Sequence, residues 1–180
     1  MEEKAFFTVP VAFWTAIISA IVAFSVVLLN QYFLQRRARM EFLRGKLEEF
    51  YLILIEIDEI SNQRYTNFVN ANAEKGTVDW NANQKKIDLL FEKVNMYSHL
   101  YFTSIIPVYQ KTFHCKTALN EIIYRFISLD DDKKPSFDET CKRFANSHFA
   151  LQGLMSSLAD NQDALVKEKK IKTPRYLVFD

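Results

Sequence analysis

The sequence predicts an all-α protein in which one amino-terminal transmembrane helix continues into a cytoplasmic four-helix bundle. Three observations carry this. Residues Ala5 to Gln35 contain no charged side chain. The remainder repeats its apolar residues at three- and four-residue spacing, the signature of helices with one buried face. Only the tail Tyr176-Leu177-Val178-Phe179 has a pattern that suits a strand. The chain therefore divides into an amino-terminal segment and span, residues 1–35, and a helical domain, residues 36–180.

Within the span, Val9 to Leu29 is almost wholly apolar. At 1.5 Å per residue that stretch extends about 31 Å, the thickness of a bilayer's hydrocarbon core. It exceeds the usual signal-peptide core and has no basic region before it, so it reads as a retained anchor. Pro10 suits a first helical turn, where a missing N–H costs nothing. Lys and Arg near membrane ends are kept on the cytoplasmic side. Met1-Glu2-Glu3-Lys4 precedes the span, whereas Arg36, Arg37, Arg39, Arg44 and Lys46 follow it with Glu41 as the single acid among them. The amino terminus is thus expected outside and the rest in the cytoplasm, where Cys115 and Cys141 stay reduced. The basic cluster has two candidate partners, anionic lipid headgroups and RNA phosphates. Its place directly beneath the span favours lipid, worth about 1 kcal/mol per residue. Phe6, Phe7, Trp14, Tyr32 and Phe33 sit toward the two ends, as interfacial aromatics do.

The span also has a face of its own. Ala12, Ala16 and Ala20 recur every four residues, with Thr15, Ser19 and Ala23 beside them and Thr8 and Asn30 close to the same stripe. Small residues allow close backbone approach, so this stripe is a candidate helix-packing or pore-lining face. The same residue types also occur in solitary anchors.

No proline and only Gly45 stands between Arg36 and about Asn72, so the membrane helix is expected to run on unbroken. Leu43, Leu47, Phe50, Leu54, Ile57, Ser61, Arg64 and Phe68 alternate by four and three and should face inward. The run Phe50 to Ile55 is apolar all round and needs cover on more than one side, from its own domain or a neighbouring subunit. Lys75-Gly76-Thr77-Val78-Asp79 reads as a break. A second helix, about Asn81 to Thr103, presents Ile87, Leu90, Phe91, Val94, Tyr97 and Tyr101. A third, about Pro107 to Leu129, presents Cys115, Leu119, Ile122, Phe126 and Leu129, and ends in the charged turn Asp130 to Pro135. Ser136 followed by Glu139 makes a capping box for the fourth helix. That helix is expected to run to about Lys170, with Phe137, Cys141, Phe144, His148, Leu151, Met155 and Leu158 inward.

Composition removes several function classes. The 180 residues carry 23 basic and 22 acidic side chains, and a formal charge of +1 excludes a strongly basic nucleic-acid binder. Three isolated glycines leave no phosphate-cradling loop, and two cysteines with no HExxH leave no recognisable metal site. No cofactor and no metal is expected. His99 and His114 lack ligand-spaced partners and read as structural, and both cysteines fall at core-type positions that favour inert thiols. The run Lys167 to Lys172 is a solvated helix end whose positive charge suits the C-terminal dipole.

One constellation could carry chemistry: Arg143-Phe144-Ala145-Asn146-Ser147-His148. In metal-independent RNA cleavage a His exchanges protons while an Arg steadies the phosphate. On a regular helix, however, the two point about 140° apart, and a hydrogen-bonded core histidine is the competing reading for His148. With its single span, all-helical cytoplasmic part and Arg143 … His148 near the carboxyl end, the chain resembles the small membrane accessory proteins of type VI-B CRISPR–Cas systems. These carry a divergent HEPN motif, an Arg separated by four to six residues from a His. The resemblance covers the whole layout and implies an HEPN-like bundle in the bacterial inner membrane, with Arg143 and His148 as the motif pair. It implies a ring-like homo-oligomeric pore, an octamer being one candidate stoichiometry. Such a pore depolarises the membrane in support of an antiphage, RNA-guided, RNA-targeting effector. Nuclease HEPN domains usually place a polar residue after the Arg. Phe144 here reads against cleavage and for a packing or assembly role. Two alternatives stand beside the pore: a membrane-tethered ribonuclease using Arg143 and His148, and a single-pass anchor that recruits a partner without conducting ions.

Overall fold

The computed structural model describes residues 11–74, 83–128 and 134–167. Helix α1 spans Val11–Glu74, α2 Gln84–Leu100, α3 Ile106–Ser128, α4 Phe137–Asp160 and α5 Gln162–Val166, with a 3₁₀ turn at Thr103–Ile105 before α3. The fold is all-α, and among the described residues there is no strand. The tail expected to be extended, the break at Lys75 to Asp79, the turn Asp130 to Lys133 and Pro10 lie outside the described residues.

The chain forms two compact units, Met1–Phe42 and Leu43–Asp180. In the first, α1 carries no charged side chain from Val11 to Gln35. Most of its large side chains, including Phe13, Ile18, Phe24, Leu29 and Phe33, are exposed. One helix near the amino terminus is therefore long and apolar enough to cross a membrane.

In the second unit α1 supplies one wall of a helical bundle. Leu43, Leu47, Phe50, Leu54, Ile57, Arg64 and Phe68 are buried, as their spacing predicts, and Ser61 is half-buried. Phe50 stacks on Phe102 at 5.9 Å and leans on Tyr97 at 5.8 Å. Farther along α1, Phe68 stacks on Phe137 and Phe144 and meets Phe126 edge-on. Such pairs add about 0.5–1.5 kcal/mol each beyond their area. The all-apolar run splits: Phe50 and Leu54 are buried, Ile53 and Ile55 are half-buried, and Tyr51 and Leu52 face outward.

The second helix is shorter than its pattern suggests. It starts at Gln84, after Asn83 in the left-handed region at φ 62°, and stops at Leu100. Phe102 explains the stop. It is buried against Phe50, and its N–H and that of Tyr101 both close onto the Tyr97 carbonyl. The chain bends there to seat the ring, then re-enters a helix with Pro107 in the first turn, where proline is tolerated.

Helix α4 begins as expected: the Ser136 hydroxyl accepts from the Glu139 N–H at 3.1 Å. It does not run to Lys170. Asn161 leaves the helical region at φ −110°, ψ 14°, and its side-chain amide donates to the Ser157 carbonyl at 2.9 Å. An asparagine that takes over a backbone acceptor competes with helix propagation, so α5 starts afresh at Gln162. The inward line of α4 is also rotated from the predicted one. Phe144, Leu151 and Leu158 are buried, joined by Thr140, Ala150, Gly153, Leu154 and Ser157. Cys141, His148 and Met155 lie at the margin, and Phe137 is exposed apart from its stack on Phe68. In α3, Leu119 and Ile122 are buried with Val108, Tyr109, Thr112 and Ile123, while Cys115 and Phe126 are half-buried. Tyr101 is also half-buried.

A polar chain ties three helices. The buried Arg64 guanidinium of α1 donates to the Gln84 side-chain oxygen at 2.9 Å, and the Gln84 amide donates to both Asp88 oxygens at 3.1 Å. Lys116 of α3 closes on Asp88 at 2.6 Å. Burial pushes the Asp88 carboxyl up, but the hydrogen bonds from Lys116 and Gln84, with the charges of Lys116 and Arg64, outweigh it and hold its pKa below 3.8.

Two outcomes follow for melting of the solubilised protein. Phe50→Ala should cost about 3–5 kcal/mol. Gly45→Ala should stabilise by about 0.5–1 kcal/mol, because a Cβ there meets nothing within 4 Å and alanine is the better helix former. A group whose folded pKa is depressed contributes stability that is complete above its unfolded pKa and lost as pH falls through the folded one. The melting temperature should therefore drop on acidification below about pH 4, less steeply in Asp88→Asn than in the parent protein.

Candidate functional site

His148 of α4 comes together with a residue far from it in the chain. Its Nδ1 lies 3.1 Å from Oδ1 of Asp58 on α1. The two atoms are at ion-pair distance without hydrogen-bond alignment, and both are shielded from solvent. The other carboxylate oxygen, Oδ2, accepts from Asn62 at 3.2 Å and from Gln152 at 3.3 Å. Asp58 is thus gripped from α1 by Asn62, one turn on, and from α4 by Gln152, one turn beyond His148. Its side chain is 18% exposed, that of His148 39%.

His148 borders a cleft of about 280 Å³ walled by Tyr65, Leu119, Phe144, Phe149 and Leu151, with the hydroxyl residues Ser61 and Ser147 on its lining. The Phe149 ring is exposed and stands 6.1 Å from the imidazole. A His edge in a mostly apolar cleft, with a carboxylate behind it, is an arrangement able to accept or donate a proton. It equally serves as a polar tie between α1 and α4.

Arg143 does not join it. Five residues before His148 on the same helix, it is exposed, and it is not among the residues lining the cleft. It lies instead toward α3, where its charge and that of Lys111 oppose the burial that pushes the Cys115 thiol pKa up. The expected motif pair is therefore divided between two flanks of α4. Cys141 sits beside the Tyr65 hydroxyl and raises its pKa. Both cysteines are half-buried free thiols. Among the described residues no group of His, Cys, Asp and Glu is placed to hold a metal ion.

On the candidate span face, Thr15, Ala16, Ser19, Ala20, Ala23 and Asn30 are all exposed in the single chain, and Ala12 belongs to the same helix. Thr8 lies outside the described residues. The Thr15 hydroxyl donates to the Val11 carbonyl at 3.0 Å, so it is satisfied within its own helix. In the basic cluster, Arg37 pairs with Glu41 at 2.9 Å and Lys46 with Glu49 at 2.7 Å. Lys46 also stands over the Tyr97 ring, and the Tyr97 hydroxyl donates to Glu49. The hydrogen bond to Glu49 raises the Lys46 pKa, and that from Lys46 lowers that of Glu49. Lys46 is thus engaged with the α1–α2 packing. Arg36, Arg39 and Arg44 are exposed.

Sequence reasoning missed Asp58, Gln152 and Asn62. Compared with known proteins, the chain matches no family model, no curated protein sequence and no solved structure.

Asp58→Ala leaves the Asn62 and Gln152 amides without their acceptor and the shielded His148 Nδ1 without the carboxylate beside it, and should destabilise the bundle by about 1–3 kcal/mol. Arg143→Ala, at an exposed position, should stay within about 0.5 kcal/mol. Thermal melts of the two variants side by side check the contrast.

Proposed function

We propose that this protein is a single-pass membrane protein that assembles from several copies into a pore. In this reading it depolarises the bacterial inner membrane in support of an RNA-guided, RNA-targeting CRISPR effector, with its amino terminus outside and its bundle in the cytoplasm. The observation that carries the reading is the first part of α1. Nearly all its large apolar side chains from Val11 to Leu34 are exposed, and it bears a stripe of small and polar residues through Ala16, Ala20, Ser19 and Asn30. Apolar surface on this scale needs lipid or sister helices around it, and a polar stripe is costly against lipid tails. Arg36, Arg39 and Arg44 suit the inner-leaflet headgroups. The link to a CRISPR effector rests on the resemblance of layout and on the Arg143 … His148 motif.

The His148–Asp58 pair favours one second reading, a membrane-tethered ribonuclease. The separation of Arg143 from His148 weighs against it within a single chain. An anchored binding module without conductance is the third.

Liposomes holding the purified protein should leak ions or a small dye. Ala16→Ile together with Ala20→Ile should reduce the leak, because bulky side chains on a small-residue face keep the helices from close backbone approach. Tight vesicles with assembled protein, under activating conditions, would overturn the reading. Cleavage of single-stranded RNA by the same preparation, lost in His148→Ala, would favour the ribonuclease instead.

A further inference from the structure

Two apolar surfaces on the bundle lack cover. On α2, Leu89, Met96 and Leu100 follow one another at seven and four residues, so they form one ridge. They are 51%, 46% and 64% exposed, although the opposite side of the same helix is fully buried. On the other surface, a groove of about 450 Å³ runs where Leu47, Tyr51 and Leu52 of α1 face Leu158 and Ala159 of α4. Leu52 is 65% exposed there.

Ridge and groove lie on different flanks of α1. Helix α2 meets α1 at Glu49, Glu56 and Arg64, whereas α4 meets it at Asp58 and Tyr65. They cannot cover each other within one chain. Their margins carry opposite charge. Lys85 and Lys93 flank the ridge, with the exposed Glu92 and the half-exposed Asp88, which Lys116 pairs, near them; Glu48 lines the groove and Asp160 stands at its α4 end. Among the described residues, none of Lys85, Lys93, Glu48 and Asp160 has an ion-pair partner within the chain.

We infer that the α2 ridge of one copy docks in the α1–α4 groove of the next, so that the cytoplasmic bundles join head to tail. The inference rests on the assembly proposed above and names its surfaces. The two surfaces differ, so the contact is heterologous, the type that closes into rings when its rotation divides a full turn and otherwise grows open filaments. The apolar ridge supplies the burial. The lysines and acids at the margins fix its direction, since like-charge juxtaposition disfavours the wrong register.

The test is the mass of the full-length protein in mild detergent. The parent protein should be multimeric, and Leu52→Glu and Leu100→Glu, both at exposed positions, should each shift it toward monomer with helical content unchanged. Reversing one margin, by Glu48→Lys with Asp160→Lys or by Lys85→Glu with Lys93→Glu, should weaken assembly. Combining all four reversals should restore it. Met96→Cys with Ala159→Cys should give a disulfide ladder on oxidation that neither single variant gives. A multimeric parent whose mass ignores these substitutions and forms no ladder overturns the interface alone, whether lipid or another protein covers the ridge. A monomeric parent overturns the assembly reading with it.

Discussion

The inward stripe of α1 from Leu43 to Phe68 is the surface on which the bundle is built. The chain returns to it through Tyr97 of α2 and Phe102 just after that helix, which close on Phe50, and from α3 and α4 through Phe126, Phe137 and Phe144, which gather on Phe68. Each fully buried large apolar side chain along the stripe contributes roughly 1.5–3 kcal/mol. The even four-three spacing leaves the other helices few ways to cover it. The two aromatic clusters lie about five turns apart, which fixes where α2 must stop and α4 must start. Phe102 ends α2, and Phe137 opens α4 just after the Ser136 cap.

Apolar packing alone would tolerate a slip of one helical turn along such a stripe. Polar ties on the two flanks of α1 make the slip expensive. On one flank the Arg64 guanidinium is relayed through Gln84 to Asp88 and Lys116. On the other, Asp58 takes Asn62, Gln152 and His148. Sliding α2 or α4 by a turn would strand an almost wholly buried guanidinium or a shielded carboxylate, at about 1–3 kcal/mol or more for each unmet group. Buried charge of this kind adds little net stability but does set register.

The helices and the core of α1 and α2 were legible from sequence because large aliphatic and aromatic residues recur there without interruption. Helix α4 was harder to read. Its inward face includes Thr140, Ala150, Gly153 and Ser157, small or polar residues that a pattern based on apolar bulk passes over. Starting the stripe at Phe137 therefore turned it away from the true centre line and carried His148 inward from a position at the edge. The stop at Asn161 was hidden for a related reason. An asparagine within a periodic run looks tolerable until its amide is seen to capture the Ser157 carbonyl. Asp58 was invisible as a partner of His148 because nothing local to either residue records their meeting. Only the packing of α4 on α1 brings them together.

That meeting separates the roles of the two motif residues. His148 is part of the polar tie between α1 and α4, so removing it disturbs packing whether or not the imidazole moves a proton. Arg143 is exposed, and removing it leaves both aromatic clusters and both polar ties in place. A loss of activity at His148 that Arg143→Ala does not reproduce, and that comes with a lowered melt for His148→Ala, is therefore traced to the α1–α4 tie. A loss common to both, with an unchanged melt for Arg143→Ala, points to chemistry or assembly at the motif. Helix geometry turns the two side chains away from each other, and the bundle uses that divergence by giving one flank of α4 to α1 and the other to α3.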